Sequence, residues 1–277
     1  MDILSFLAVP FAAGLVLTGI HAYLGLHVVE RGVIFVDLSL AQIAALGTTI
    51  AFLAGHGLHS PTTYYWSLRF TMIGASIFAL TRLHSDNAKI PQEAIIGIVY
   101  AVSAAAAILA MSKAPQGTEH IKDMLVGNIL TVSWGEVIKT AILYTIVGAF
   151  HYAAREKFLM ISTNHKAAEE QGINIRLWDF LFYASFGLVV TSSVEIAGIL
   201  LVFSYLIVPS VAAMLFASTV GGRLAFGWTM GALVSGLGVW FSFQYDLPTG
   251  ATIVCTFGGV LTLLALVRRL MPNSRRA

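Results

Sequence analysis

The residues able to do chemistry in this chain are few, and most stand inside apolar stretches. His21, Asp37 with Gln42, and Glu195 each interrupt or border a run of helix length whose other members are nearly all aliphatic, aromatic or small. An ionisable side chain in hydrocarbon is costly, so such positions mark either a structural pair or a path for a polar cargo. Carboxylates, amides and imidazoles are the groups a divalent cation takes as ligands, and a cation in transit needs them weakly disposed so that it can leave again. For His21 two readings stand, a metal ligand through its neutral imidazole and a hydrogen bond between helices. Asp37 follows a short turn bearing Glu30 and Arg31, so a buried pair and a place in a path or gate are both open. Gln42 lies five positions on, about 140° away around a helix. Glu195 can snorkel to an interface or serve as a gate. Pro209 removes a backbone donor and loosens the helix around Ser204 to Pro209. His56 and His59, in GHGLHSP, lack a third ligand and describe a solvated loop as readily as a cation trap. Glu136 and Lys139 have the i, i+3 spacing of a helix-surface ion pair.

The elements that must hold these residues follow from composition. Of 277 residues, 57% are hydrophobic and only 11% charged, with a mean hydropathy of +0.82. That is too little polar surface for a water-soluble globule, and it describes an all-α polytopic membrane protein with a single transmembrane domain over residues 1–277. About 20 apolar residues cross a bilayer. Segments of that kind fall at 4–26, 33–54, 65–82, 93–112, 134–153, 177–193, 196–217, 224–243 and 249–268. The sixth and seventh are parted only at Thr191–Glu195, which predicts a break there and eight or nine spans. The amino end lacks the basic start and small-residue cleavage pattern of a signal peptide and reads as the first span. Cys255 is the one cysteine, so neither a disulfide framework nor a cysteine metal cluster is expected.

Charge gives the orientation. With nine spans and the carboxyl terminus inside, twelve of the sixteen Lys and Arg fall on the inner side, among them Arg31, Arg82, Lys89, Arg155, Arg176, Arg223, Arg275 and Arg276. Lys113 and Lys122 fall outside, and Arg69 and Lys139 near the outer ends of their spans. The bias places the amino terminus outside and the carboxyl terminus in the cytoplasm. A net charge of +2 says little by itself, because what matters in a membrane protein is where the basic residues sit, and nucleic acid is not among the expected partners.

Two connections are long. The outer one, Ser112 to Ser133, ends in a weakly apolar piece. The inner one, Arg155 to Arg176, contains NHKAAEEQG, in which Asn164 is a good N-cap and Gly172 a C-terminal stop. This predicts a short polar helix over 164–172, too short to be stable unless it docks on something. No Walker A loop, dinucleotide glycine pattern or His-Glu-x-x-His is present, so the chain itself is read as non-catalytic.

Four stretches in order carry a family resemblance: EAIIGIVYA (93–101) with VGNILTVS (126–133), KAAEEQG (166–172), AGILLVFSYLIVPSVAA (197–213), and DLPTGATIV (246–254). In these the chain resembles the permease subunits of the binding-protein-dependent ABC importers for divalent metals (zinc, manganese, iron). The resemblance implies a type II ABC importer-like fold in a bacterial-type cytoplasmic (inner) membrane. It implies a coupling helix through Asn164, His165, Ala168, Glu169 and Gly172 that sits in a groove of a cytoplasmic ABC ATPase. That partner would bind ATP and Mg, with no cofactor in this subunit. The other expected partners are an extracytoplasmic substrate-binding protein, a second copy of the chain, and the lipid bilayer. Asp37, Ser39, Gln42, Glu195 and Pro209 are the expected path or gate residues, and His21 and Asp37 the candidate ligands for a transported metal.

One departure stands out. The family's second helix commonly carries Asp-x-x-Ser-His; aligned through LSLAQIAALG, this chain keeps Ser39 but has Val36 and Leu40 at the aspartate and histidine positions. Asp37 is one residue out of step, about 100° around the helix. The departure keeps other cargoes open, a chelated metal or a small organic solute, as well as a sensor or assembly factor that transports nothing.

Overall fold

A computed structural model of the chain describes residues 3–57, 60–82, 90–112 and 129–271. His59, His120, Lys89, Lys113, Lys122, Arg275, Arg276 and most of the long outer connection lie outside the described residues. The elements in order are α1 (Ile3–Glu30), α2 (Val36–Leu53), α3 (Pro61–Thr81), α4 (Gln92–Met111), a 3-10 turn (Ile129–Thr131), α5 (Trp134–Ala153), α6 (Arg155–Thr163), α7 (His165–Glu170), α8 (Ile175–Ala197), α9 (Ile199–Phe216), α10 (Val220–Tyr245) and α11 (Thr249–Leu270). No strand occurs among the described residues, as expected where a lipid-exposed backbone must satisfy its own hydrogen bonds.

Nine of these helices have 18 residues or more, and they stand at the nine expected positions. Seven are long and apolar enough to cross a membrane on their own, and α5 with α6 forms an eighth candidate bent by 75°. The remaining long helix, α3, has the length but carries a more polar set that includes Arg69. Local signals fix the ends. Ser60 Oγ accepts the Thr63 N–H at 3.2 Å with Pro61 following it at the helix start, and Ser133 with Glu136 closes a capping box at the start of α5. Asn174 and Thr219 cap α8 and α10 in the same way.

The expected break at Thr191–Glu195 is corrected: those residues are helical, and the chain breaks at Gly198, where φ is +75°. The polar residues mistaken for a break are used across helices instead. Thr191 Oγ1 lies 3.0 Å from Thr71 Oγ1 on α3, and Ser193 Oγ meets His21 on α1 and Tyr144 on α5.

Two groups of helices form the bundle. In one, α2 packs against α3 and α4, and α3 against α8; in the other, α1 packs against α9 and α10, and α11 closes over both of those. Helix α5 joins them by touching α1 and α8. The large core side chains include Leu17, Leu24, Leu40, Phe78, Phe182, Phe186 and Tyr205, all buried. The outward faces of α4 and α11 remain apolar and exposed, as at Ile98, Leu109, Leu263 and Leu266. The tightest approach is at Gly25 on α1: an added Cβ would lie 2.0 Å from the Leu206 carbonyl oxygen on α9.

At one end of the bundle the apolar core gives way to a buried charge cluster. The Asp179 carboxylate on α8 accepts from Arg31 Nη1 at 2.8 Å and Arg82 Nη1 at 2.6 Å, and its side chain and that of Arg31 are fully buried. Arg31 Nε donates to Ser162 Oγ on α6 at 2.8 Å, and the guanidinium lies 3.9 Å from the centre of the Phe182 ring. Burial pulls the Arg31 guanidinium below its ordinary pKa and Asp179 pushes it back up, and an arginine stays charged through both. On the second arginine, Arg82 Nη2 reaches His165 Nδ1 at 3.4 Å. One carboxylate therefore fixes the ends of α1, α3 and α8 together with the short helices α6 and α7. Beside it, Arg223 pairs with Glu30 and ties α10 to the end of α1.

Two outcomes are expected. Gly25→Ala should abolish or sharply reduce folded protein, whereas Gly97→Ala, where an added Cβ meets nothing within 4 Å, should leave the melting temperature within a few degrees. Asp179→Asn should destabilise by about 3–5 kcal/mol by leaving two guanidinium groups uncompensated. The double change Asp179→Asn with Arg31→Met should cost less than the sum of the two single changes, read from thermal melts of the purified protein.

Candidate functional site

Among the described residues, helix α2 carries three buried polar atoms without a hydrogen-bond partner. It begins at Val36 directly after the turn that follows α1, which places Asp37 in its first turn and Ser39 and Gln42 within the next. Asp37 and Ser39 are fully buried and Gln42 nearly so. Asp37 Oδ1, Ser39 Oγ and, farther along the helix, Thr49 Oγ1 have no hydrogen-bond partner among the described residues. The first turn of α4 faces the same start: Glu93 Oε1 accepts the Phe35 N–H at 3.0 Å, while Glu93 Oε2 and Gln92 Oε1 remain unpartnered. Oxygen atoms left unsatisfied in an apolar surrounding cost roughly 1–3 kcal/mol each, so these groups could accept contacts from a water or another hydrogen-bonding or cationic group. Val36 and Leu40 on the same helix are apolar and fully buried.

The other expected residues fall apart from Asp37. His21 is fully buried at the meeting of α1, α5 and α8. Its Nδ1–H donates to the Leu17 carbonyl at 2.8 Å, and its Nε2 lies 3.1 Å from Ser193 Oγ, to which Tyr144 is also hydrogen bonded. Both ring nitrogens are engaged, so of the two readings for His21 the geometry supplies the hydrogen bond between helices and offers no free ligand atom. Glu195 is exposed near the end of α8. Pro209 is buried inside α9 beside Gly227, with Ser204 and Ser210 on either side donating to carbonyls one turn back. His56 lies in the described turn after α2, but its expected companion His59 does not. Among the described residues no three His, Cys, Asp or Glu side chains converge on a point.

The short polar helix is present as α7. Asn164 Oδ1 accepts the Ala167 N–H at 3.1 Å. Gly172 at φ +69° ends the helix, with its N–H on the Glu169 carbonyl and that of Ile173 on the Ala168 carbonyl, a pattern that closes the orphan carbonyls of a helix end. Ala168 is fully buried between Ile161 of α6 and Ile175 of α8, with Trp178 alongside. It is the foot on which α7 stands. The outward surface belongs to Asn164, Lys166, Glu169, Glu170, Gln171 and Gly172. His165 is half-buried, 3.7 Å from Glu169 on one side and in contact with Arg82 on the other.

Sequence reasoning missed three buried polar residues of the end cluster. Asp179 and His151 lie inside the expected spans 177–193 and 134–153, and His27 just beyond the first. The rule that singled out Asp37, an ionisable group in an apolar run, points to Asp179 and His151 equally.

Known proteins resemble this chain in sequence and in fold. The profile of the ABC 3 transport family matches residues 4–269. The manganese transport system membrane protein MntC of Listeria monocytogenes is 24% identical over 244 residues, 85% of this chain and 81% of that protein. A Haemophilus influenzae protein named "Probable iron transport system membrane protein" is 25% identical over 240 residues, 87% and 85% of the two chains. The fold is shared with PsaBC from Streptococcus pneumoniae, solved in complex with Fab, at a TM-score of 0.77 and 20% identity over 98% of this chain and 93% of that one. The chain belongs to the ABC 3 transport family.

Proposed function

We propose that this protein is the transmembrane subunit of an ABC importer that moves a divalent metal ion across the cytoplasmic membrane, driven by a separate ATPase. The observation that carries the reading is the family match along residues 4–269, together with relatives named for manganese and iron transport over more than four-fifths of their length. The subunit is non-catalytic: ATP and Mg are bound by the ATPase, the metal arrives from an extracytoplasmic binding protein, and a second copy of the chain completes the pore. Arg31, Arg82, Arg155, Lys157, Arg176 and Arg223 lie at the end bearing α6 and α7, which supports that end as cytoplasmic, with the amino terminus outside.

In this reading α7 is the coupling helix. Its outward polar face meets the ATPase, and its inward contacts pass the push on. Ala168 carries it to α6 and α8, and the His165, Arg82, Asp179, Arg31 chain carries it to the ends of α3, α8 and α1. A rigid displacement of α7 is then delivered to the ends of those spans, beside the turn into α2 that positions Asp37. A second reading, cargo that brings its own ligands, is favoured by the buried Val36 and Leu40, since a chelated metal needs no aspartate or histidine at those positions. Uptake by the reconstituted complex of free Mn, Fe and Zn against their chelates distinguishes the two.

Reversing the exposed charges with Glu169→Lys and Glu170→Lys should weaken co-purification with the ATPase and lower stimulated ATP hydrolysis without changing the melting temperature. Ala168→Glu, which buries a carboxylate, should instead lower the melting temperature; retained coupling in the charge-reversed protein would dismiss the docking role. Separately, Asp37→Asn should reduce uptake about tenfold or more at unchanged membrane abundance, and undiminished uptake would return Asp37 to structure.

A further inference from the structure

Helices α1 and α5 touch each other but leave an open groove between them on the outside of the bundle. Its volume is about 290 Å³, and it is lined by Leu15, Gly19 and Ile20 of α1 and by Ala141, Thr145 and Gly148 of α5. The two glycines keep it open. A Cβ added at Gly19 meets nothing within 4 Å, and one at Gly148 meets only Ile20 Cδ1 at 3.9 Å. Leu15 and Thr145 are exposed, so the groove faces whatever surrounds the bundle. Its few polar atoms are spent within the chain: the neighbouring Tyr144 hydroxyl is bonded to Ser193, and Thr145 Oγ1 donates to the Ala141 carbonyl at 2.7 Å. What remains to an occupant is an apolar surface.

The line of the groove continues past Gly148. At 100° per residue, Ala141, Thr145, Gly148 and Tyr152 fall within about 60° of one another around α5. Tyr152, 70% exposed, stands in the last turn of that helix. Arg155 begins α6 just beyond the 75° bend, lies 4.6 Å from the centre of the Tyr152 ring, and donates from Nη1 to the Tyr152 carbonyl at 3.3 Å. That bond uses one of the guanidinium's N–H donors, and no carboxylate pairs with Arg155 among the described residues. Glu156 follows about 100° around α6, and Lys157 turns onto the Trp178 ring at 4.7 Å. From Ala141 to Tyr152 the helix rises about 16 Å, close to the roughly 15 Å of hydrocarbon in one leaflet. One end of the groove is therefore bare and apolar at mid-bilayer depth, and the other carries an aromatic ring and an unpaired cation where headgroups lie.

We propose that the groove and Arg155 together form a binding site for one phospholipid of the leaflet on the α6 side. One acyl chain lies along α1 and α5, and the phosphodiester accepts from the free donors of Arg155. The planar fork of a guanidinium suits a phosphate oxygen pair, and stacking on Tyr152 holds the fork in place before the lipid arrives. The glycines admit the chain without displacing any side chain of the bundle, and Tyr152 offers its ring at the depth of the glycerol backbone. The site is independent of what the bundle carries and of which face is cytoplasmic.

The test titrates the full chain, purified in detergent, with phosphatidylglycerol and with the diacylglycerol of the same chains, read by native mass spectrometry. One phosphatidylglycerol should bind ahead of the others, about tenfold or more tightly than the diacylglycerol. Arg155→Gln should remove most of that preference, and Gly148→Leu, which fills the groove, should weaken both lipids about fivefold or more, each at an unchanged melting temperature. In nanodiscs, phosphatidylglycerol with a diazirine in its chain should label residues 15–20 and 141–148 well above the outward faces of α4 and α11. Equal labelling of all outward faces, equal affinity for the two lipids, or undiminished binding in folded Arg155→Gln and Gly148→Leu proteins would overturn the site. So would disulfide pairing between copies carrying Thr145→Cys and Cys255→Ser with loss of lipid labelling, which would give the groove to a second copy of the chain. If the variants fail to fold, the labelling pattern of the unaltered protein decides alone.

Discussion

The rest of the structure depends on a single buried carboxylate. Apolar packing can press long helices together along their length, but it specifies little at their ends, where the chain leaves hydrocarbon and each helix could slide or rotate by a residue. Asp179 removes that freedom by drawing Arg31 and Arg82, which belong to elements 148 and 97 positions away in sequence, onto the same oxygen. A buried ion pair is a poor source of net stability, because desolvation takes back most of the Coulomb attraction. Its use is geometric. Here it sets the register of three spans at one end, and through Ser162 and His165 it extends to the two short helices, which also rest on the contact of Ala168 with Ile161 and Ile175.

The same logic of partnered polar atoms runs through the body of the bundle. With no water in hydrocarbon, a serine or threonine either returns its proton to a carbonyl one turn back or reaches across to another helix, and many here do both. Ser193 joins α8 to His21 and Tyr144, Ser67 donates from α3 to the Ala44 carbonyl on α2, and Ser210 lies against α1 at Ala22 where Gly25 lets the backbones close in. Small residues and hydroxyls thus do in this chain what the hydrophobic effect does in a soluble core, since lipid and leucine are equally apolar.

Much of this was legible in the sequence, because length and hydropathy are strong signals. The span at 134–153 matches α5 to the residue, and the cap and stop of α7 follow from Asn164 and Gly172. What was not legible is who meets whom. Thr191 to Glu195 read as a break because polar residues in an apolar run look like an interruption; their partners Thr71, Tyr144 and His21 are 49 to 172 positions away. Ala168 read as part of a docking surface because alanine is silent about direction, and only the positions of Ile161 and Ile175 turn it inward. For His27 and His151 nothing local distinguishes a histidine with an unpartnered nitrogen from one that is satisfied, whereas Asp179 obeys the same rule as Asp37 and only its partners Arg31 and Arg82 are hidden from the sequence.

That distinction between satisfied and unsatisfied atoms is what gives the fold its functional content. His21 and His27 sit six residues apart on the same helix, both buried. The first has a carbonyl on one nitrogen and a hydroxyl on the other; the second has a hydroxyl on one and, among the described residues, nothing on the other. Composition, burial and helix are shared, so the difference in what they can do lies entirely in the neighbours. The same holds on α2, where Ser39 is unpartnered while nearby Ser67 on α3 is not. A bundle that satisfies most of its intramembrane hydroxyls has the means to satisfy these as well. Leaving Asp37, Ser39, His27 and His151 incomplete costs stability, and that cost is recovered whenever a water or a cation supplies the missing contact. The helix ends that Asp179 fixes therefore lie in a bundle that keeps these polar atoms incomplete among the described residues.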